Sequence, residues 1–259
     1  MTEPIYDQIG INYAKYRKAD SRIAKAILEY LDVPEKGIIG DVGAGTGSYS
    51  QVVAEKEYIV KCVEPSDVMM GQKKSHQNIE WIKGDAENIP LETGSMDGVM
   101  AILSFHHFKN PEKAIKEMKR VSKGNVVLFT FDPREVETPW LASYFPEVWE
   151  GAFDFFPPLS DVKKQIESVS GKNVTSHIFE LPYNLSDYFA AAGWRKPEIY
   201  LDPIIRSCMS AFAVANQSKI EDGVRKLKQD LETGQWDKDF GYLKKQESLD
   251  IGYRFIVAK

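Results

Sequence analysis

The stretch GIIGDVGAGTGSYSQVVA, residues 37 to 54, decides the fold. A short apolar run from Ile38 to Val42 carries Asp41 and gives way to Gly43, Gly45 and Gly47. From Ser48 onward the pattern turns helical. Glycine adopts backbone angles that a side chain forbids, and it lets a ligand approach the main chain closely. The stretch predicts a strand, a tight turn of bare backbone and a helix. Such a turn serves as a plain strand-to-helix connection, as the seat of a dinucleotide, or as the seat of an adenosine-based methyl donor. The dinucleotide fingerprint G-x-G-x-x-G needs its third glycine at position 48, where this chain has serine. A carboxylate at Asp41 would repel a pyrophosphate, and it suits a cationic or hydrogen-bond-donating ligand.

Outward from this stretch, strands and helices alternate. YIVKCVEP, residues 58 to 65, alternates and stops at proline, which predicts a second strand. Asp67 to Lys74 is expected to be helical, Ile79 to Lys83 a third strand, and Gly98 to Leu103 a fourth. Pro111 to Val121 reads as a helix with proline in its first turn, and NVVLFTFDP as a fifth strand. Upstream, residues 5 to 31 carry helical spacing at Ile23, Ala24, Ile27, Leu28 and Leu31. This alternation predicts an open parallel sheet wound with helices on both faces. After Asp132 the pattern changes. Residues 133 to 172 are rich in proline and aromatics, Val174 to Leu181 suits a strand, and residues 184 to 247 read as mainly helical. GYRFIVAK closes the chain as a last strand.

In open parallel sheets ligands bind at the carboxyl ends of the strands. Here three successive strand ends carry a glycine loop, Glu64 and Asp85. Glu64 can accept both hydroxyls of a ribose, and Asp85 can accept from an adenine amino group. Each acid alone is equally well a solvated strand-end residue; the joint pattern is far more specific.

DVGAGTGSYS, VEPSDVM, GDAENIPLETGSMDGVMAILSFHHF and VVLFTF together resemble the ordered motifs of the class I, Rossmann-like, S-adenosylmethionine-dependent methyltransferases, and their small-molecule branch most closely. The resemblance covers residues 1 to about 132 and the last strand. It implies an α/β fold: a seven-stranded, mostly parallel sheet with helices on both faces. It implies a donor-binding core of residues 1–132 with 248–259. Residues 133–247 would then form a helical, aromatic-rich cap containing one core strand near 174–181. It further implies that Asp41, Gly43, Ala44 and Gly45 line the methionine and ribose part of S-adenosylmethionine, with Gly47 shaping the turn. Glu64 would hold the ribose hydroxyls, with Pro65, Ser66 and Met69 beside the adenine, and Asp85 and Ala86 would address the ring. Leu103 and Ser104 would lie near the methionine. YAKYRKADSRI resembles the leading helix of the family, with Tyr13 over the donor and Arg17 paired with its carboxylate.

Transfer from a sulfonium depends chiefly on positioning, and an oxygen acceptor needs a base unless it arrives ionised. His106 and His107 follow the fourth strand directly. Either is a candidate base, with His107 favoured because the family often has a histidine before an aromatic residue there; packing against the donor is the structural alternative. The family's nucleic-acid amino-group enzymes carry a proline-proline-aromatic tetrad at this place. SFHHF is not that, which argues against a DNA base as substrate. Trp140, Tyr144 and Trp149 are candidates for an aromatic acceptor pocket, or simply pack a helix pair. Arg134 and Arg206 are candidates to face a substrate carboxylate. The composition of the cap resembles methyltransferases associated with bacterial antibiotic biosynthesis, so oxygen methylation of a small molecule or natural-product peptide, at a hydroxyl or a carboxylate, is the leading expectation. Nitrogen or carbon methylation, and a donor-binding module without catalysis, remain alternatives.

The bulk numbers agree. The 259 residues are 43% hydrophobic and 27% charged, with a net charge of -5. That balance is globular and lacks the basic footprint of a nucleic-acid binder. Neither Cys62 nor Cys208 lies in a CxxC, and no HExxH or carboxylate-histidine cluster marks a metal site. The N-terminus shows no secretory pattern and no apolar run suits a membrane span. A cytoplasmic protein without a membrane partner is expected, with monomer and dimer both open.

Overall fold

The computed structural model describes residues 16–73, 75–137, 139–171 and 173–259. Helix α1 (Ser21–Leu31) lies within the stretch 5 to 31 read as helical, and residues 17–20 before it are not helical. Asp20 takes an extended conformation and its side chain accepts from the Arg22 amide, so the helix starts there. Ile23, Ala24, Ile27 and Leu31 form its buried stripe. The expected helical residues 5 to 15 lie outside the described residues.

The sheet follows from β1 (Ile38–Val42), β2 (Ile59–Glu64), β3 (Ile79–Lys83), β4 (Gly98–Ile102), β5 (Val126–Phe131), β6 (Val174–Ile178) and β9 (Tyr253–Ala258). A two-residue ribbon, β7 (Leu181–Pro182) with β8 (Ser248–Leu249), stands apart. The spatial order is β3-β2-β1-β4-β5-β9-β6, parallel except for β9, which runs antiparallel to both neighbours. This is the Rossmann-like, seven-stranded, mostly parallel sheet implied by the motifs. All six residues of β5 and of β9 are buried, as in a sheet covered on both faces. Side chains alternate between the faces. Val127, Phe129 and Phe131 enter one apolar cluster with α1 and α2 (Ser48–Ala54). Val126 and Leu128 enter a second, with α4 (Pro111–Val121) and α6 (Leu159–Ser170). The small helix α3 (Asp67–Gly71) follows β2. No helix among the described residues is long and apolar enough to cross a membrane.

The remaining helices, α5 (Pro146–Phe155), α7 (Pro203–Ser207), α8 (Ser210–Val214), α9 (Gln217–Thr233) and α10 (Gln235–Phe240), form a cap on the first face. Its rings interlock edge to face: Trp140 on Trp236 at 5.5 Å between centroids and Phe145 on Phe212 at 5.0 Å. The cap shares one continuous apolar cluster with the sheet. Two features of residues 133–247 differ from the sequence expectation. Leu159, Val162 and Ile166 of α6 pack with the second face of the sheet rather than with the cap, because their i, i+3, i+7 stripe meets α4 and β9. Residues 184 to 202 are turns and a single 3-10 segment (Pro197–Leu201), and helix resumes only at Pro203. This stretch is held against the N-terminal segment. Arg17 bridges to Asp187 through the main chain, and Ser186 donates its amide to Asp20.

Candidate active site

The order β1-β4 marks the point where the strand connections reverse direction, and the carboxyl ends of β1 to β4 open there into a cavity of about 370 Å³. Gly43, Gly45 and Gly47 all adopt left-handed φ, at 72°, 60° and 73°. Gly43 also leaves no room for a side chain: a Cβ would stand 2.7 Å from that of Ser104. Ser104 in turn donates its hydroxyl to the Val42 carbonyl at 2.8 Å, locking the end of β4 to that of β1. Glu64 is buried at the end of β2. Its carboxylate accepts the Gly45 amide at 2.7 Å and the Ser66 amide at 2.8 Å. Ser66 caps α3 by accepting from Met69.

Asp41 is buried below the loop. Ser50 donates to its Oδ2, while Oδ1 has no partner. Burial pushes this carboxyl up to about 7, the Ser50 hydrogen bond opposes the rise, and the charge of Glu64 adds to it. Four carboxylates line the cavity (Asp41, Glu64, Asp85 and Glu87) against two cations, Arg17 and Lys109. The lining therefore suits a ligand that is cationic or rich in donors and disfavours a pyrophosphate. Arg17 itself is already engaged. Its Nε lies 2.5 Å from Asp187 Oδ1, and Tyr49 donates to the other oxygen of Asp187 at 3.0 Å.

The two histidines form a 3-10 turn, Phe105–His107, anchored by buried Phe105. Their rings are 4.1 Å apart, and His106 also meets Phe156 at 4.2 Å. Burial drives His106 well below the ordinary histidine value, with His107 and Arg17 adding to the fall. His107 is lowered to about 4 by burial and then by Arg17. Both are neutral at physiological pH. The Nδ1 of His106 is out of solvent and has no partner.

Behind this cavity lies a smaller recess of about 50 Å³, lined chiefly by apolar side chains. The two spaces share three residues, Arg17, Leu103 and His106. Leu103 sits at φ 50°, a conformation that costs a non-glycine residue about 1–2 kcal/mol.

Most of the expected site residues converge. Arg17, Asp41, Gly43, Ala44, Gly45, Glu64, Pro65, Met69, Asp85, Ala86, Leu103, Ser104, His106 and His107 all line the main cavity. Gly47 and Ser66 stand behind it: Gly47 caps α2 against the Trp81 ring, and Ser66 caps α3. Tyr13 lies outside the described residues. Of the residues expected at the acceptor, only Trp149 lines the recess. Trp140 donates its indole to the Trp194 carbonyl, and Tyr144 its hydroxyl to Asp230. Arg134 is held by Asp132 and the Phe156 carbonyl, and buried Arg206 by Glu221 and the Tyr200 carbonyl. These four bind the cap together and line neither space. Thr46, Ser48, Tyr49 and Phe108 also line the main cavity. Thr46 lies between the second and third glycines of the loop and Ser48 directly follows the third, so both were readable there. Asp187 had no local signal, since its partner lies 170 residues away. Among the described residues, no His, Cys, Asp or Glu group is arranged to hold a metal ion.

A reversed-order α/β sheet with a glycine loop and strand-end acids around one cavity defines a nucleoside-cofactor site of the methyltransferase type. The chain belongs to the class I S-adenosylmethionine-dependent methyltransferases. Residues 40–130 match the family described as Methyltransferase domain. The solved structure of a protein assigned as a methyltransferase from an antibiotic biosynthesis pathway of Anabaena variabilis is 43% identical, with a TM-score of 0.92, over 94% of this chain and 99% of that one. A methyltransferase-like protein of Schizosaccharomyces pombe is 37% identical over 115 residues, 42% of this chain and 43% of that protein. The ubiquinone/menaquinone biosynthesis C-methyltransferase of Rubrivivax gelatinosus is 32% identical over 87 residues, 33% of this chain and 35% of that protein. The chain thus spans less than half the length of these two curated relatives. The donor of the family, S-adenosylmethionine, fits the residues present. The unmet acceptor on Asp41, the Glu64 carboxylate and the left-handed glycines meet a cationic nucleoside with a ribose diol.

Proposed function

We propose that the protein transfers a methyl group from S-adenosylmethionine to an oxygen of a small molecule or natural-product peptide in bacterial secondary metabolism. The observation that carries this reading is the junction of two spaces. The donor-type cavity meets a separate apolar recess across Arg17, Leu103 and His106. A methyl transfer needs the two reactants in line across such a boundary, with water excluded. The donor supplies an electrophilic methyl: its bond to sulfur breaks as the bond to the acceptor oxygen forms, and the electron pair of the S–C bond stays on sulfur. The cap helices on the first face of the sheet select the acceptor. The Anabaena variabilis relative, assigned to an antibiotic pathway, supports the placement in secondary metabolism. The free thiols of Cys62 and Cys208 support a cytoplasmic setting.

Carbon methylation is the second reading, favoured by the similarity to a quinone-biosynthesis C-methyltransferase. Incubation with a donor carrying a ¹³C methyl group, in extracts of the source cell, separates the two. A methoxy carbon shift in the product supports oxygen transfer, and an aryl-methyl shift supports carbon transfer. Calorimetry with S-adenosylhomocysteine, using NAD as competitor, tests the donor site. No binding of S-adenosylhomocysteine overturns the reading.

A further inference from the structure

The recess behind the donor cavity is built in a particular way. One wall is aromatic: Phe131 and Tyr253 from adjacent strands, Trp149 and Phe156 from α5 and its end, and Phe189 from the turn above. Four alanines, Ala152, Ala190, Ala191 and Ala211, stand among these rings in the lining. Protein interiors rarely leave volume between aromatic walls unfilled. Here the small side chains keep it open beside the donor cavity.

Charge in the lining of the recess is confined to one residue. Arg17 is the one charged residue in its lining, and its guanidinium is bound by Asp187 through Nε and an amino group. Asp187 is 1% exposed, so the pair is buried and its positive charge is balanced on the spot. A carboxylate entering this space would find no uncompensated cation, and burying one there would be unfavourable. Of the three arginines that would form a cationic cradle, Arg17 is paired with Asp187, and Arg134 and Arg206 are held by Asp132 and Glu221.

The boundary offers one neutral polar group. His106 lines both spaces, and an imidazole nitrogen without a hydrogen-bond partner is an unmet bond in a buried setting.

We propose that this recess and the adjoining side of the main cavity together form the acceptor subsite, and that it takes a neutral, apolar aromatic compound with one phenol-type hydroxyl, which hydrogen-bonds to the imidazole of His106 at the boundary. The proposal rests on the methyl-transfer reading above. An aromatic body gains edge-to-face contacts with Trp149, Phe156 and Tyr253. A phenol is acidic enough to give up its proton as the oxygen becomes methylated, and His106 receives it. Burial makes the resulting imidazolium unfavourable, so it gives the proton to water once the methylated product leaves, which restores the neutral base. The same geometry argues against the carboxylate acceptor that sequence reasoning left open.

The test is calorimetric titration of the full chain, saturated with S-adenosylhomocysteine, with 4-propylphenol, 4-propylbenzoate and propylbenzene. Saturable binding of 4-propylphenol is expected, at least tenfold tighter than the benzoate and several-fold tighter than propylbenzene. Ala211→Phe and Ala152→Leu fill the recess from different elements. Each is expected to weaken the phenol at least tenfold and to leave S-adenosylhomocysteine within twofold, which also reports that the variant is folded. His106→Phe keeps the ring packing and is expected to abolish the preference for phenol over propylbenzene. Absence of phenol binding to a protein that binds S-adenosylhomocysteine overturns the proposal and leaves the donor reading intact. Benzoate binding as tight as phenol, or phenol binding unchanged in both filling variants, also overturns it. Failure to bind S-adenosylhomocysteine overturns the methyl-transfer reading itself.

Discussion

The main-chain amide of Gly45 donates to Glu64 at 2.7 Å, tying the loop after β1 to the end of β2. One carboxylate thus shapes the floor on which the nucleoside would lie, and it lines the cavity. Charge-assisted hydrogen bonds of this kind contribute about 1.5–3 kcal/mol each. Glu64→Ala is expected to weaken S-adenosylhomocysteine binding at least tenfold, and Glu64→Gln by less, since the amide oxygen still accepts. Equal losses in the two variants by calorimetry would show that the charge alone matters.

The glycines are not equivalent. At Gly45 an added Cβ meets only Met69, at 4.0 Å, so Gly45→Ala carries backbone strain of about 1 kcal/mol and little else. At Gly43 the Cβ would stand 2.7 Å from Ser104, which is locked to Val42. Gly43→Ala is expected to lower the melting temperature by several degrees more than Gly45→Ala in differential scanning calorimetry, with no ligand present. Equal melting temperatures would mean that β4 gives way freely.

The sheet and the donor side were legible because their signals are local. Strand periodicity, Gly43 to Gly47, and acids at strand ends each occupy one short window. The acceptor side was not legible for the opposite reason. Whether Trp140 or Trp149 faces a ligand depends on how α5 meets the turn carrying Phe189 and Ala191, which is a long-range packing outcome. Arg206 and Arg134 looked like spare cations, but carbonyl and carboxylate partners elsewhere in the cap consume them. Within residues 184 to 247, read as mainly helical, the stretch 184 to 202 is not α-helical: Asp187 and Ser186 bind the N-terminal segment, and tertiary bonds override local propensity. His107 was favoured from its neighbour in sequence. The geometry gives His106 the place between the two spaces.

The Arg17–Asp187 pair is buried on both sides, with side-chain exposures of 8% and 1%. Removing one member of such a pair strands the other charge, at a cost of about 3–5 kcal/mol. Asp187→Asn is expected to lower the melting temperature by roughly 6–12 °C. The double variant Arg17→Met with Asp187→Leu is expected to recover much of that loss, because the uncompensated charge is gone. A double variant as unstable as the single one would show that packing of the two side chains, not charge balance, holds the segment to the cap.

Asp41 and the two histidines set opposing pH dependences. Burial raises the folded carboxyl of Asp41 to about 7 from 3.8. Between those values the folded state holds a proton that the unfolded state lacks, so this contribution to stability is full below 3.8 and is lost as pH rises through 7. For His107 the folded value falls to about 4 from 6.5, and His106 moves the same way. The unfolded state then binds the extra protons, and their contribution is present above 6.5 and is lost as pH falls. In the window from 4 to 6.5 His107 offsets the one carboxyl, and His106, lowered in the same direction, tips the balance toward the histidines; each uncompensated proton changes stability by about 1.4 kcal/mol per pH unit. Urea unfolding across that window is expected to show stability rising with pH in the native sequence. Asp41→Asn removes the opposing group, so the slope steepens by about one proton. His107→Phe removes one of the pair, so the slope flattens by about the same amount. An unchanged slope in Asp41→Asn would mean that the carboxyl is already ionised beneath the glycine loop and has found a partner for Oδ1.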